Sequence, residues 1–195
     1  MSIKQIFRNR KNYKGAIFID RDGTINKPVG YLYKKEQLEL LPTVAEGIRL
    51  LNDLQIAAIV ITNQPVVAKG LITIAELKAI NEHLSHLLSR ENAYLDAIYS
   101  CPHHPDGAIK EFTGLCQCRK PNTLMCMQAM KDYKLSKILG IMGDSTRDFQ
   151  LGKNLGIPTI AVQTGHKGLD NIYKITPDFV CDNFLTSVEK LLEFL

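Results

Sequence analysis

Two groups of residues in this sequence have the types and spacing for chemistry. The first is Asp20-Arg-Asp22-Gly-Thr24, directly behind an apolar run. In an extended backbone, residues two apart point the same way, so Asp20 and Asp22 can face one reaction centre. Like charges about 4 Å apart cost roughly 4 kcal/mol at an effective dielectric near 20. A hard divalent cation that prefers oxygen ligands, Mg²⁺, relieves that repulsion. Asp144 and Asp148, in Gly143-Asp-Ser-Thr-Arg-Asp148, offer further carboxylates. Taken alone, an Asp-x-Asp pair fits a solvated turn equally well.

The second group is Cys101-Pro-His103 and Cys116-Gln-Cys118, two close pairs joined by a loop. Three thiolates and an imidazole suit tetrahedral Zn²⁺, and four protein ligands leave no open position, so such a zinc is structural. The Cys-x-His spacing is not that of a zinc finger. His104 is an alternative ligand to His103, and buried thiols beside a surface histidine are the alternative to a metal. Cys118 precedes Arg119-Lys120-Pro121, so anchoring it fixes a strap that carries two cations. Cys126 and Cys181 read as core residues.

The elements that must position these groups alternate along the chain. Short apolar runs at 15–20, 56–62, 138–143 and 159–162 read as buried strands, and 95–100 as a weaker one. Thr43-Val-Ala-Glu46 and Thr73-Ile-Ala-Glu76 have the pattern of capping boxes. Each opens a helical pattern, with Val44, Ile48, Leu51 and Leu54 behind the first. Leu77, Ile80, Leu84, Leu87 and Leu88 follow the second. Residues 123–133, 148–154 and 187–195 read as further helices, and 101–118 as a loop. This alternation predicts an α/β fold, a Rossmann-like parallel sheet flanked by helices. Ligands of such sheets bind beyond the carboxyl ends of the strands. Asp20, Thr62-Asn63-Gln64 and Asp144 all follow strand ends.

Composition is that of a globular chain: 195 residues, 45% hydrophobic and 23% charged. This length predicts one domain, 1–195, with 101–118 as a zinc-loop insertion. No apolar run reaches the roughly 20 residues of a membrane span. The basic first fifteen residues lack a secretory h-region, so the expected compartment is the cytoplasm. Five cysteines, an odd number, argue against a disulfide framework. A net charge of +4 and the absence of Trp give little support to nucleic-acid binding. A monomer acting on a small molecule is expected. Gly165-His166-Lys167-Gly168 reads as a plain turn, and His83 with His86 as a solvated helix face.

Asp20-Arg-Asp22-Gly-Thr24, Thr62, Lys120 and Gly143-Asp144 with Asp148 appear in the order of the four motifs of the haloacid dehalogenase-like (HAD-like) phosphatases, which the chain resembles. The resemblance implies that Asp20 is the nucleophile and Asp22 the general acid and base. It implies that Thr62 and Lys120 hold the phosphoryl group. Mg²⁺ would be held by Asp20, Asp144 and the Asp22 main-chain carbonyl, with Asp148 orienting that shell. Residues 23–41 are too short for a cap domain, so a minimal cap is expected, a flap plus the zinc-binding loop.

Tyr99-Ser-Cys-Pro-His-His-Pro-Asp-Gly107, Glu111-Phe112 and Cys116-Gln-Cys-Arg-Lys-Pro121 resemble the D-glycero-D-manno-heptose 1,7-bisphosphate phosphatases. That resemblance implies hydrolysis of the 7-phosphate, Asn63 and Gln64 among the substrate-binding residues, and Arg119 on the phosphate that stays. The chain departs from the family at Pro28, Val29, Pro65, Val66 and Val67, at 122–125, and at Ser145 where a Lys is common. These positions lie outside the phosphoryl machinery. Histidinol-phosphate phosphatase is the alternative within the enzyme class. A polynucleotide end-processing phosphatase shares Asp-x-Asp-Gly-Thr. A catalytically inactive zinc-stabilised binding module is the alternative outside it.

Overall fold

The computed structural model describes residues 1–10 and 12–195. Among the described residues, seven strands form one sheet in the order β1-β4-β3-β2-β5-β6-β7. They are β1 (Ile3–Ile6), β2 (Gly15–Ile19), β3 (Ile56–Asn63), β4 (Ala97–Cys101), β5 (Ile138–Gly143), β6 (Thr159–Val162) and β7 (Phe179–Cys181). Only the edge strand β1 runs antiparallel, against β4; the other pairings are parallel. The chain lays β2, β3 and β4 outward on one side, then returns to β2 with β5. Strand order therefore reverses between β2 and β5, the place where parallel sheets open a crevice for ligands.

The five residues of β2 are all buried. Ile17 and Ile19 join one core with Val60 and Ile98, while Ala16 and Phe18 join the other with Ile59 and Ile61. Period-two alternation thus serves both faces of the sheet. Helices α1 (Val44–Asp53), α3 (Ile74–Arg90) and α6 (Phe184–Leu192) cover the first face through Ile48, Leu51, Leu84, Leu88, Val188 and Leu191. Helices α4 (Leu124–Tyr133) and α5 (Thr146–Leu155) cover the second through Met125, Ala129 and Leu151. Each of these Ile, Leu, Val and Met side chains, fully buried, contributes about 1.5–3 kcal/mol. A short helix, α2 (Pro65–Ala68), follows β3.

Several local expectations change. The Thr73 capping box forms, with Glu76 N donating to Thr73 Oγ1 and Thr73 N donating to Glu76 Oε2. The Thr43 box does not: Thr43 is left-handed, φ 64°, and its hydroxyl donates to Asn183 Oδ1 instead. α5 begins at Thr146 rather than 148, because Ser145 caps it. α6 begins at Phe184 rather than 187, because Asn183 caps it. β1, β7 and α2 lie outside the expected elements.

Candidate active site

Asp20 follows β2 and Asp144 follows β5, so the strand reversal brings their carboxylates together. Asp148 reaches the same point from the first turn of α5, and ligand oxygens of the three lie within 4.8 Å of one another. Lys120 arrives from the opposite side on the segment behind Cys118. Its ammonium donates to Asp20 Oδ1 and to Asp148 Oδ1, each at 2.6 Å. All four side chains are buried. Burial, with the charge of Asp20 added, pushes the carboxyls of Asp144 and Asp148 up to about 7. Burial would lower Lys120, but Asp148 and Asp20 hold it above its ordinary value. Three buried carboxylates against one ammonium leave an excess of negative charge on hard oxygen donors, and that donor set fits Mg²⁺.

Gly165 and Gly23 close over Asp144. Both have positive φ, 52° and 82°, and a Cβ on either would overlap Asp144 Oδ2. His166 N donates to that oxygen at 2.7 Å, and Gly168 N donates to the Asp144 main-chain oxygen at 2.6 Å. The 165–168 segment, expected to be a plain turn, therefore holds a site carboxylate. Its two glycines were the available signal.

Asp22 takes a different environment from Asp20. Its carboxylate receives both Nε and Nη2 of Arg21, Nδ2 of Asn26 and, at 2.7 Å, Nε2 of Gln64. Burial alone would raise its carboxyl; the Arg21 guanidinium and the Gln64 and Asn26 hydrogen bonds outweigh that and hold it below the ordinary value. Gln64 Nε2 also donates to Thr62 Oγ1 at 2.8 Å. Asn63 grips the Lys120 backbone from both sides: Lys120 N donates to its Oδ1 at 2.9 Å, and its Nδ2 donates to Lys120 O at 3.2 Å. The amides of Asn63 and Gln64 are thus engaged on protein groups, although both residues border the cavity.

Cys101, His103, Cys116 and Cys118 converge as well. Their sulfurs are 3.2–3.5 Å apart, and His103 Nδ1 lies 3.4 Å from Cys118 Sγ and 3.7 Å from Cys101 Sγ. A zinc–thiolate tetrahedron with bonds of about 2.3 Å has edges of about 3.8 Å, so the sulfurs stand within about 0.6 Å of the spacing that the ion needs. Its hydrogen bond to Cys101 draws the Cys118 thiol down to about 5, while the same contact, with burial, raises Cys101. Phe112 packs edge-on against the His103 ring, with centroids 5.9 Å apart. His104 is not in the cluster; its Nδ1 accepts from Asp106 N. Cys126 is fully buried and Cys181 half-buried, both outside the cluster. Arg119 Nη1 donates to His103 O at 3.0 Å, tying the strap to the metal loop.

The carboxylate centre, and not the cysteine–histidine cluster, borders a cavity of about 290 Å³ lined by Asp20, Asp22, Thr62, Lys120, Asp144 and Asp148. Arg119, Arg147, His104 and His166 stand around it, with Tyr31 and Leu32 of the 23–41 flap above.

A HAD-hydrolase-like family model matches residues 117–187. A D-glycero-beta-D-manno-heptose-1,7-bisphosphate 7-phosphatase of Yersinia pestis is 36% identical over 153 residues, 77% of this chain and 81% of that protein. The chain belongs to this family of HAD-like phosphatases. It is a phosphoric monoester hydrolase by that membership. A D-glycero-alpha-D-manno-heptose-1,7-bisphosphate 7-phosphatase of Photorhabdus laumondii is 34% identical over 178 residues, 90% of this phosphatase and 95% of that one. The crystal structure of the D,D-heptose 1,7-bisphosphate phosphatase of B. bronchiseptica, complexed with magnesium and phosphate, superposes with a TM-score of 0.79. It is 29% identical and covers 93% of this phosphatase and 99% of that chain. No helix among the described residues is long and apolar enough to cross a membrane.

Proposed function

We propose that the protein removes the 7-phosphate of a D-glycero-D-manno-heptose 1,7-bisphosphate through an aspartyl-phosphate on Asp20. The observation that carries this reading is the placement of Lys120 between Asp20 and Asp148, with Asp22 bordering the same cavity. An Asp20 oxygen attacks phosphorus as the bond to the sugar oxygen breaks; the negative charge of the bound phosphate pushes the Asp22 carboxyl back up, so that it takes up a proton and gives it to the departing alkoxide. Water then attacks the phosphorus of the aspartyl-phosphate, Asp22 takes the water's proton, and inorganic phosphate leaves as the Asp20 carboxylate is restored. Thr62 and Lys120 hold the phosphoryl oxygens in line, which is the larger part of phosphoryl-transfer catalysis. Asp20, Asp144 and the Asp22 carbonyl would hold Mg²⁺, which when bound supplies positive charge to the transferring group. Asp148 positions Lys120, and Asn63 positions its backbone. Gln64 orients Thr62 and Asp22.

Cys101, His103, Cys116 and Cys118 would hold a structural Zn²⁺. Arg119, tied to that loop, takes the phosphate that stays, since a guanidinium fork suits a phosphate. The unit is a single domain, 1–195, supported by one sheet that draws strands from Ile3 to Cys181. It acts as a cytoplasmic monomer on a small sugar phosphate. The test is phosphate release from both heptose bisphosphate anomers and histidinol phosphate, with and without Mg²⁺, followed by ³¹P NMR. Loss of the 7-phosphate with retention of the anomeric one is expected. Faster turnover of histidinol phosphate would overturn the substrate, and no turnover of any ester would leave a binding module.

A further inference from the structure

Arg21 is the largest fully buried side chain among the described residues, with no exposed surface at all. A buried guanidinium costs several kcal/mol unless its N–H groups are satisfied, so its partners define what it is for. Nε and Nη2 form a fork on the Asp22 carboxylate at 2.9–3.2 Å. Nη1 donates to Asn81 Oδ1 on α3 at 3.0 Å. Asn81 Nδ2 in turn donates to Gln5 Oε1 on β1 at 2.9 Å. The chain therefore runs from the edge strand, through a helix, to the residue that borders the reaction cavity. Asp22 keeps 36% of its side-chain surface, while Arg21 has none. The carboxylate faces the cavity, and the guanidinium supports it from behind.

We infer that Arg21 is a positioning residue for Asp22, and that Asn81 and Gln5 hold Arg21 in that orientation. This rests on the reading of Asp22 as the group that protonates the leaving oxygen. A planar fork fixes both the direction and the tilt of a carboxylate, which a single contact from Gln64 or Asn26 does not. Proton delivery depends on that geometry, and nucleophilic attack by Asp20 does not.

The two dependences separate by leaving group. Nitrophenolate departs without a proton; an alkoxide needs one. The experiment measures first-turnover release by the Mg²⁺-loaded enzyme from p-nitrophenyl phosphate and from the alkyl phosphate it turns over fastest. Arg21→Met is expected to slow alkoxide release by about 10²-fold, the lower range of a lost general acid, and nitrophenolate release far less. Arg21→Lys keeps the charge without the fork and is expected to behave like Arg21→Met. Asn81→Leu removes only the brace and is expected to widen the same ratio several-fold; it decides the matter if Arg21 variants do not fold. Equal slowing of both substrates in folded protein, no slowing of either, or full recovery by Arg21→Lys would each overturn the inference. Asp22→Asn is the control. If it slows both substrates equally, Asp22 is not the acid, and the proposed mechanism fails before this inference does.

Discussion

The carboxylate centre, three carboxylates with the Lys120 ammonium, and the cysteine–histidine cluster each bring four side chains together, yet they are assembled in opposite ways. The cluster's ligands come from eighteen consecutive residues, the end of β4 and the loop that follows it. Asp20, Lys120, Asp144 and Asp148 come from positions up to 128 residues apart and meet only because strand order reverses between β2 and β5. The first site consists of soft donors in a closed set, suited to holding an ion permanently. The second consists of hard donors at the floor of an open cavity, suited to a reaction. Damage to each should therefore read out differently.

The largest effect falls on the carboxylate centre. Asp20→Asn is expected to abolish turnover, because no aspartyl-phosphate can form, while zinc content stays near one per chain and the melting temperature is kept. Residual turnover within tenfold of wild type would remove Asp20 from its role.

Cys118→Ser damages the other centre and should spread to both. Metal binding of this type contributes folding free energy directly, so a lower melting temperature is expected. Activity should fall by about 100-fold, since Arg119 and Lys120 lose their anchor. Atomic absorption, melting and turnover measured together check this; zinc-free protein with full activity would break the contrast.

Arg119→Ala tests the bridge between the centres. A charge-assisted hydrogen bond is worth about 1.5–3 kcal/mol, roughly 10- to 150-fold in kcat/KM. That loss is expected for a bisphosphate and not for a monophosphate, which lacks the second anion. Equal losses would place Arg119 on the reacting phosphate.

The smallest effect is expected at Asn63. Asn63→Leu removes two hydrogen bonds from the Lys120 backbone, each worth about 0.5–1.5 kcal/mol net. Turnover should fall about tenfold with little change in KM. A rise in KM alone would mean that the amide binds substrate directly.

The same contrast explains what could be read from the sequence. The zinc cluster was legible because its ligands are local and their spacing is itself the geometry. Asp20, Thr62 and Asp144 were legible because each ends a continuous apolar run, and strands buried on both faces have that pattern. β1 and β7 have no such run; their residues alternate between exposed and half-buried at the sheet edges. Thr43 and Thr73 begin identical patterns, x-x-Glu behind each, but Thr43 is left-handed and turns its hydroxyl to Asn183. No local pattern contains a residue 140 positions away. Gly165 and His166 read as part of a plain turn for the same reason, since their role lies at Asp144, outside the local pattern.

The hydrogen bond from Arg119 to the His103 carbonyl makes the metal loop a ruler. With Arg119 in its proposed role, the span between the cleaved and the retained phosphate is graduated by residues 101–118 and not by the sheet. Loops of this kind accept insertions and deletions far more readily than strands do. A longer or shorter loop would therefore re-gauge the sugar that fits between the two anions, while β2, β5 and the carboxylates they carry stayed as they are.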